Sequence, residues 1–230
     1  MGLIVDVTSD VICPWCFIGK RRLERAVRDL GGRHVVGVRW HPFQLNPTMP
    51  GEGMDRKDYR TAKFGSWERS QALDAQVAAA GEAEGIAFDF ARIGRTPNTR
   101  DAHRLIALAG AQGVQDAVVE AFFSGYFTEG RDLSDRETLL GLAAHAGLDR
   151  RRAEALLGGD GGLESLRHAE MQARRIGVQG VPFFVINGEF VISGAQQPQA
   201  FLDAFGRVSV TTPAGETGVC TIGQGGIATC

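Results

Sequence analysis

The chain has 230 residues, 43% hydrophobic and 23% charged, with a formal net charge of −2. That is globular composition, enough for one large domain or one domain carrying an insertion. It gives no basic footprint for nucleic acid, and no uncharged apolar run approaches the roughly 18 residues a membrane helix needs.

The opening MGLIVDVTSD lacks a basic leader, a long apolar stretch and a small-residue cleavage site. A cytoplasmic protein is therefore expected. LIVDVTS, Leu3–Ser9, is a β-rich apolar run and reads as a buried strand. It leads into Cys13-Pro14-Trp15-Cys16. From Pro14, Trp15, Phe17, Ile18, Leu23, Ala26, Val27 and Leu30 recur at helical spacing, with Lys20, Arg21, Arg22 and Arg25 on the other face. Gly31-Gly32 stops that helix. His34–Phe43 reads as a second strand, so the order is that of a parallel βαβ unit with a right-handed crossover.

A Pro/Gly loop, LNPTMPGEGM, introduces a helical region from about Asp55 to about Ile176. Ser66, Asn98, Ser134 and Asp149 are its expected N-caps, and Ser134 with Glu137 has capping-box spacing. β-structure returns in VPFFVING and EFVISG, joined by the hairpin signal Asn187-Gly188. A closing helix starts near Pro198. The Gly/Thr-rich segment 209–230 shows no period and is expected to be a flexible tail. The fold expected is α/β, a β-α-β half (1–50) and a β-β-α half (178–208) sharing one sheet around a helical block, 51–177.

In a reducing compartment four cysteines point to catalytic, sensing or metal roles sooner than to a disulfide framework. A Cys-X-X-Cys pair at a helix N-terminus has a mechanism. Unpaired backbone N–H groups and the positive end of the macrodipole converge on Cys13 and favour thiolate over thiol. Cys16, one turn on, is placed to resolve a mixed disulfide formed at Cys13. Two inert buried thiols, or half of a zinc site, are the other readings. A zinc site needs a second close ligand pair, and Cys220 and Cys230 are far away and wide apart. No metal is expected.

Pro182 heads a strand in GVQGVPFFVING, a position proline tolerates anyway. A cis Val181–Pro182 bond would turn Val181 toward Cys13 and offer an extended substrate an edge. Asp6 and Asp10 are each a proton acceptor for Cys16, or an ordinary turn residue. His41, Phe43 and Asn46 follow the second strand and are placed near the cleft, or in loop packing.

The stretches SDVICPWCFIGKRRLE, WHPFQLNPTMPGEG, PNTRDAHRLI and GVQGVPFFVINGEFVISGAQ together resemble the DsbA-like branch of the thioredoxin superfamily, and within it the FrnE-like subgroup. That subgroup is related to 2-hydroxychromene-2-carboxylate isomerases and kappa-class glutathione transferases. The resemblance implies a thioredoxin-like fold, residues 1–50 and 178–208, with an inserted helical domain, 51–177, and a thiol–disulfide oxidoreductase with Cys13 as nucleophile, Cys16 as resolving thiol and Pro182 as the cis-proline. Pro14, Trp15, Val181, Asn98 and His103 are then expected to meet substrate, with a capped helix and a structural histidine as the plainer account of Asn98 and His103. Trp15 stands where the periplasmic oxidant has histidine, which implies a less oxidising couple, about −180 to −270 mV.

The isomerase and transferase relatives carry serine in place of Cys13. A glutathione-dependent isomerase or transferase, acting in polyketide or aromatic metabolism, is therefore the alternative. No tightly bound cofactor is expected, with glutathione at most a co-substrate. The expected partners are a disulfide-bearing protein or small molecule and a thiol reductant, neither nucleic acid nor membrane, with a homodimer left open. Cys220 and Cys230 are a candidate second dithiol, which a Gly-rich tether could bring to Cys13.

Overall fold

The computed structural model describes residues 2–32, 34–208, 220–222 and 228–229. Strand β1 (Gly2–Ser9) has Leu3, Val5 and Val7 fully buried. Helix α1 (Pro14–Asp29) follows, and Gly31 and Gly32 leave it with φ of 62° and 75°. Strand β2 (Val35–Pro42) returns parallel to β1, with Val5 opposite Val38. The βαβ unit is the one expected from the apolar periods.

The insertion begins with the short strand β3 (Met54–Asp55) and helix α2 (Arg56–Phe64), whose N-cap Asp55 accepts from the Asp58 N–H. Helix α3 (Trp67–Glu82) is capped by Ser66. Strand β4 (Arg95–Thr96) pairs with β3, a two-residue ladder too short to show as a period. Helices α4 (Arg100–Ala111), α5 (Gln115–Phe127), α6 (Arg136–His145), α7 (Arg150–Leu157) and α8 (Leu163–Arg175) complete the block. Asp149 caps α7 as expected, but α6 is capped by Asp135 and not by Ser134. The carboxylate of Asp135 reaches both the N–H and the hydroxyl of Thr138.

Strands β5 (Phe183–Ile186) and β6 (Phe190–Ser193) form a hairpin whose turn residues, Asn187 and Gly188, have φ of 49° and 71°. Positive φ at both central positions is what selects Asn-Gly there. β5 runs antiparallel to β1 on the edge away from β2. Helix α9 (Pro198–Phe205) packs against α1. Strands β7 (Cys220–Ile222) and β8 (Ala228–Thr229) lie within the segment expected to be without regular structure. β7 pairs with Gly37 and Val38. A parallel pair leaves the outer edge of β2 with open backbone groups, and β7 covers them at Gly37 and Val38. The sheet order is β6-β5-β1-β2-β7-β8.

The expected polar face of α1 is only partly solvated, with Arg21 and Arg25 half-buried. Lys20 is 3% exposed, and Arg22 is also buried. Lys20 Nζ bonds Glu24, lies 2.9 Å from Asp116 Oδ2 and 3.2 Å from Glu120 Oε2. Arg22 reaches Glu84 on the α3 side and the Ala195 carbonyl. Helical spacing shows which face is polar; it does not show that an insertion returns to cover it. The apolar face of α1 is tied in too: Phe17 stacks on Phe123 at 5.2 Å. Among the described residues no helix is long and apolar enough to cross a membrane.

Candidate active site

β1 delivers the chain to a tight turn in which the Cys13 N–H donates to the Asp10 carbonyl at 3.0 Å. Cys13 is the N-cap of α1, in extended conformation, with no side-chain cap and with Pro14 in the first turn. Proline has no N–H to lose there and fixes the φ that starts the helix. The Cys13 side chain thus stands where the unpaired N–H groups of α1 point.

The thiol of Cys13 donates to the Val181 carbonyl oxygen at 3.5 Å. Val181–Pro182 is cis, and Pro182 leads directly into β5. Gly19 makes this approach close. A Cβ there would lie 3.0 Å from Phe184 Cζ and 3.0 Å from Pro182 Cγ, so a larger residue would have to push one of those side chains aside.

Cys13 and Cys16 are both free thiols, 6% and 1% exposed. Burial pushes the Cys16 thiol well above the ordinary range. Its hydrogen bond with Cys13 and the charge of Cys13 push the same way, while the Asp10 backbone and the Ser9 hydroxyl pull back. Trp15 is 40% exposed and sits with Cys13 and Pro14 on the wall of a cavity of about 420 Å³.

Asn98 and His103 do not reach that cavity. Asn98 Nδ2 donates to the Met49 carbonyl at 2.6 Å, and its Oδ1 accepts from the Arg100 N–H. It ties a loop to the start of α4. His103 is buried with Nε2 3.3 Å from Asp10 Oδ1, beneath the β1–α1 turn. Both were candidates to meet substrate; their contacts are those of the plainer account, with Asn98 just ahead of α4 and His103 within its first turn. Asp6 lies 2.7 Å from His41 Nε2 at the surface, away from Cys16. Phe43 packs with Val178 and Phe183 in a small second core. Asn46 does line the cavity. Cys230 and the side chain of Cys220 lie outside the described residues.

The structure adds groups that the sequence reading missed. Arg56, Tyr59, Arg60 and Lys63, all on α2, line the cavity with Asp74 of α3. Their signal was the spacing i, i+3, i+4, i+7, which places them on one face of a helix. Among the described residues no cluster of three or more His, Cys, Asp or Glu could hold a metal ion.

Residues 4–206 match the model of the DsbA-like thioredoxin domain family. A probable DsbA oxidoreductase from Streptomyces coelicolor is 33% identical in sequence, and its crystal structure superposes with a TM-score of 0.81 over 92% of this chain and 94% of that one. The uncharacterized protein YwbO of Bacillus subtilis is 28% identical over 205 residues, 87% of this chain and 94% of that protein. The cytosolic disulfide reductase DsbM of Pseudomonas aeruginosa, solved with GSH, shares the fold at 20% identity and a TM-score of 0.60, over 89% of this chain and 100% of its own. With Cys13 capping α1 beside a cis-proline, and a family match spanning both halves of the sheet and the insertion between them, the chain belongs to the DsbA-like thioredoxin family.

Proposed function

We propose that this protein is a cytoplasmic thiol–disulfide oxidoreductase working through Cys13 and Cys16. The observation that carries this reading is the Cys13 thiol, held at the N-terminus of α1 against the Val181 carbonyl, with the buried Cys16 thiol one turn behind it. The Cys13 thiolate attacks one sulfur of a substrate disulfide, forming a mixed disulfide and expelling one thiolate, which takes up a proton. Cys16 then loses its proton and attacks the Cys13 sulfur, closing the Cys13–Cys16 disulfide and releasing the second substrate thiol. Two electrons pass from the protein to the substrate. Two equivalents of a small thiol reset the centre; the GSH held by the fold neighbour DsbM supports glutathione in that role. In reverse the same steps oxidise a dithiol.

Position 181 offers an extended substrate backbone an acceptor beside the reacting sulfur, and Trp15 offers it an apolar contact. The test is turnover of insulin with glutathione as reductant. Cys13→Ser is expected to abolish it, and peptide mapping of the turned-over protein is expected to find the Cys13–Cys16 disulfide. Insulin reduction by the Cys13→Ser protein at the parent rate would refute the reading.

A further inference from the structure

The cavity beside Cys13 is unbalanced in charge and in hydrogen bonding. Three cations, Arg56, Arg60 and Lys63, line it against one carboxylate, Asp74. That carboxylate is already shared: Oδ2 accepts from Arg56 Nη2 at 2.9 Å and Oδ1 from Arg60 Nη2 at 2.6 Å. Arg56 is 4% exposed, and its Nη1 has no hydrogen-bond partner among the described residues. Asn46, also on the cavity wall, has an unpartnered buried Nδ2. Both orphaned atoms are donors. A buried donor without an acceptor is costly, so such groups mark where an acceptor belongs. Burial and the charge of Arg56 push the Arg60 guanidinium down, against the pull of Asp74, as expected where positive charge is in excess.

Most of the remaining wall is apolar or aromatic, with Leu45, Val77, Phe90 and Phe127 among it and only Gln76 and Thr96 polar, and Cys13 lines the same space. A volume of about 420 Å³ lies in the range of small-ligand sites, about 300–1,000 Å³, and below what a folded partner would require. An arginine pair is the group best shaped to grip a carboxylate.

We propose that this cavity takes a small apolar disulfide carrying a carboxylate, with the carboxylate held by Arg56 and Arg60 and the sulfur bridge presented to Cys13. The proposal rests on the oxidoreductase reading and narrows it to a substrate class. The electron balance is that given above: the dithiol becomes the Cys13–Cys16 disulfide, and the bound disulfide leaves as two thiols.

The test is a single-turnover reaction of the reduced protein with two aryl disulfides, dithiobis(nitrobenzoate), which carries carboxylates, and uncharged bis(nitrophenyl) disulfide. Each rate is divided by that of the same disulfide with free dithiothreitol, which removes intrinsic reactivity. The carboxylated compound is expected to be favoured at least about tenfold, the worth of one charge-assisted hydrogen bond. Lys63→Gln, on an exposed residue whose loss the fold tolerates, and Arg60→Gln are expected to move that preference toward unity. Arg150→Gln, on the outer helix α7, controls for net charge and keeps it. A preference near unity in the parent protein, one unchanged in both cavity variants, or insulin outrunning both aryl disulfides on the same normalised scale would overturn the proposal. Failure of the underlying reading looks different: neither disulfide then yields a Cys13–Cys16 disulfide by mass spectrometry.

Discussion

The Cys13 thiol and the Val181 carbonyl oxygen lie 3.5 Å apart, across 168 residues of chain. The contact joins the first half of the sheet to the second. β1 and α1 fix Cys13, β5 fixes Val181, and the pairing of β1 with β5, Thr8 opposite Phe183, fixes one against the other. The whole inserted helical block separates them in sequence and is absent from the contact itself. Geometry at the reacting sulfur is therefore a property of the sheet.

Cys16 carries the first prediction. Its folded thiol is pushed above the ordinary value by burial, so folding favours the protonated form. A group with a raised folded pKa contributes stability that is complete below the unfolded value and is lost as pH rises toward the folded one. The reduced protein is expected to lose stability as pH climbs above about 8.5, the unfolded thiol value. Cys16→Ser is expected to remove that decline and to trap substrate as a Cys13 mixed disulfide. Urea midpoints between pH 7 and 10, with mass spectrometry of the trapped adduct, check both parts.

Gly19 gives a prediction about packing. Its missing Cβ is what allows Pro182 Cγ and Phe184 Cζ to approach α1. Phe184 is fully buried and packs edge-on against Phe201, so it has little room to give. Gly19→Ala is expected to cost about 1–3 kcal/mol through overpacking and to slow attack by Cys13, because the strand carrying Val181 is displaced. Denaturant unfolding and a single-turnover rate test it. A stable variant with an unchanged rate would show that α1 and β5 adjust freely.

The buried charges on α1 predict an acid limb. Burial works against ionised Glu120, but its hydrogen bond to Arg21 and the charges of Lys20 and Arg21 outweigh it and hold the carboxyl at about 2. A depressed folded pKa gives stability that is present above the unfolded value and lost as pH falls through the folded one. Stability is expected to fall between the ordinary 4.5 and about 2, and Glu120→Gln is expected to flatten that part of the curve while costing about 2 kcal/mol at neutral pH. Lys20→Met leaves Asp116 buried without its cation, with Glu24 keeping only Arg21 at 3.1 Å, and is expected to cost more, about 3–5 kcal/mol. Thermal unfolding across pH measures both.

The same network shows where sequence reading stops. The strand, the CPWC step, the helix and the returning hairpin were legible because each has a local cause: an apolar run, a proline with no N–H to lose, an Asn-Gly turn. Glu24 is a local i,i+4 partner of Lys20, but Asp116 was not legible, since it stands 96 residues away and no local pattern links the two. Arg56, Arg60 and Lys63 share a face by spacing alone, yet a basic stripe looks the same whether it faces water or a cavity. Asn98 and His103 were correctly placed near the start of a helix, but the direction each side chain takes is decided by how that helix packs on the sheet.

Asp10 is the residue whose consequences are most concentrated. Its carbonyl accepts from the Cys13 N–H, its Oδ2 accepts from the Leu45 N–H at 2.7 Å, and its Oδ1 faces His103 Nε2 at 3.3 Å. The side chain is fully buried. It thus ties the turn that presents Cys13 to the loop in which Leu45 and Asn46 wall the cavity. Asp10→Asn keeps an acceptor for Leu45 and is expected to remain close to the parent in stability. Asp10→Ala strands a buried N–H and is expected to cost about 1–3 kcal/mol. Because it frees the loop and leaves the two thiols in place, it is also expected to weaken small-disulfide saturation more than it slows attack at saturating substrate. Denaturant midpoints and the split between KM and kcat separate these effects; an alanine variant as stable as the parent would mean that the loop is held from elsewhere.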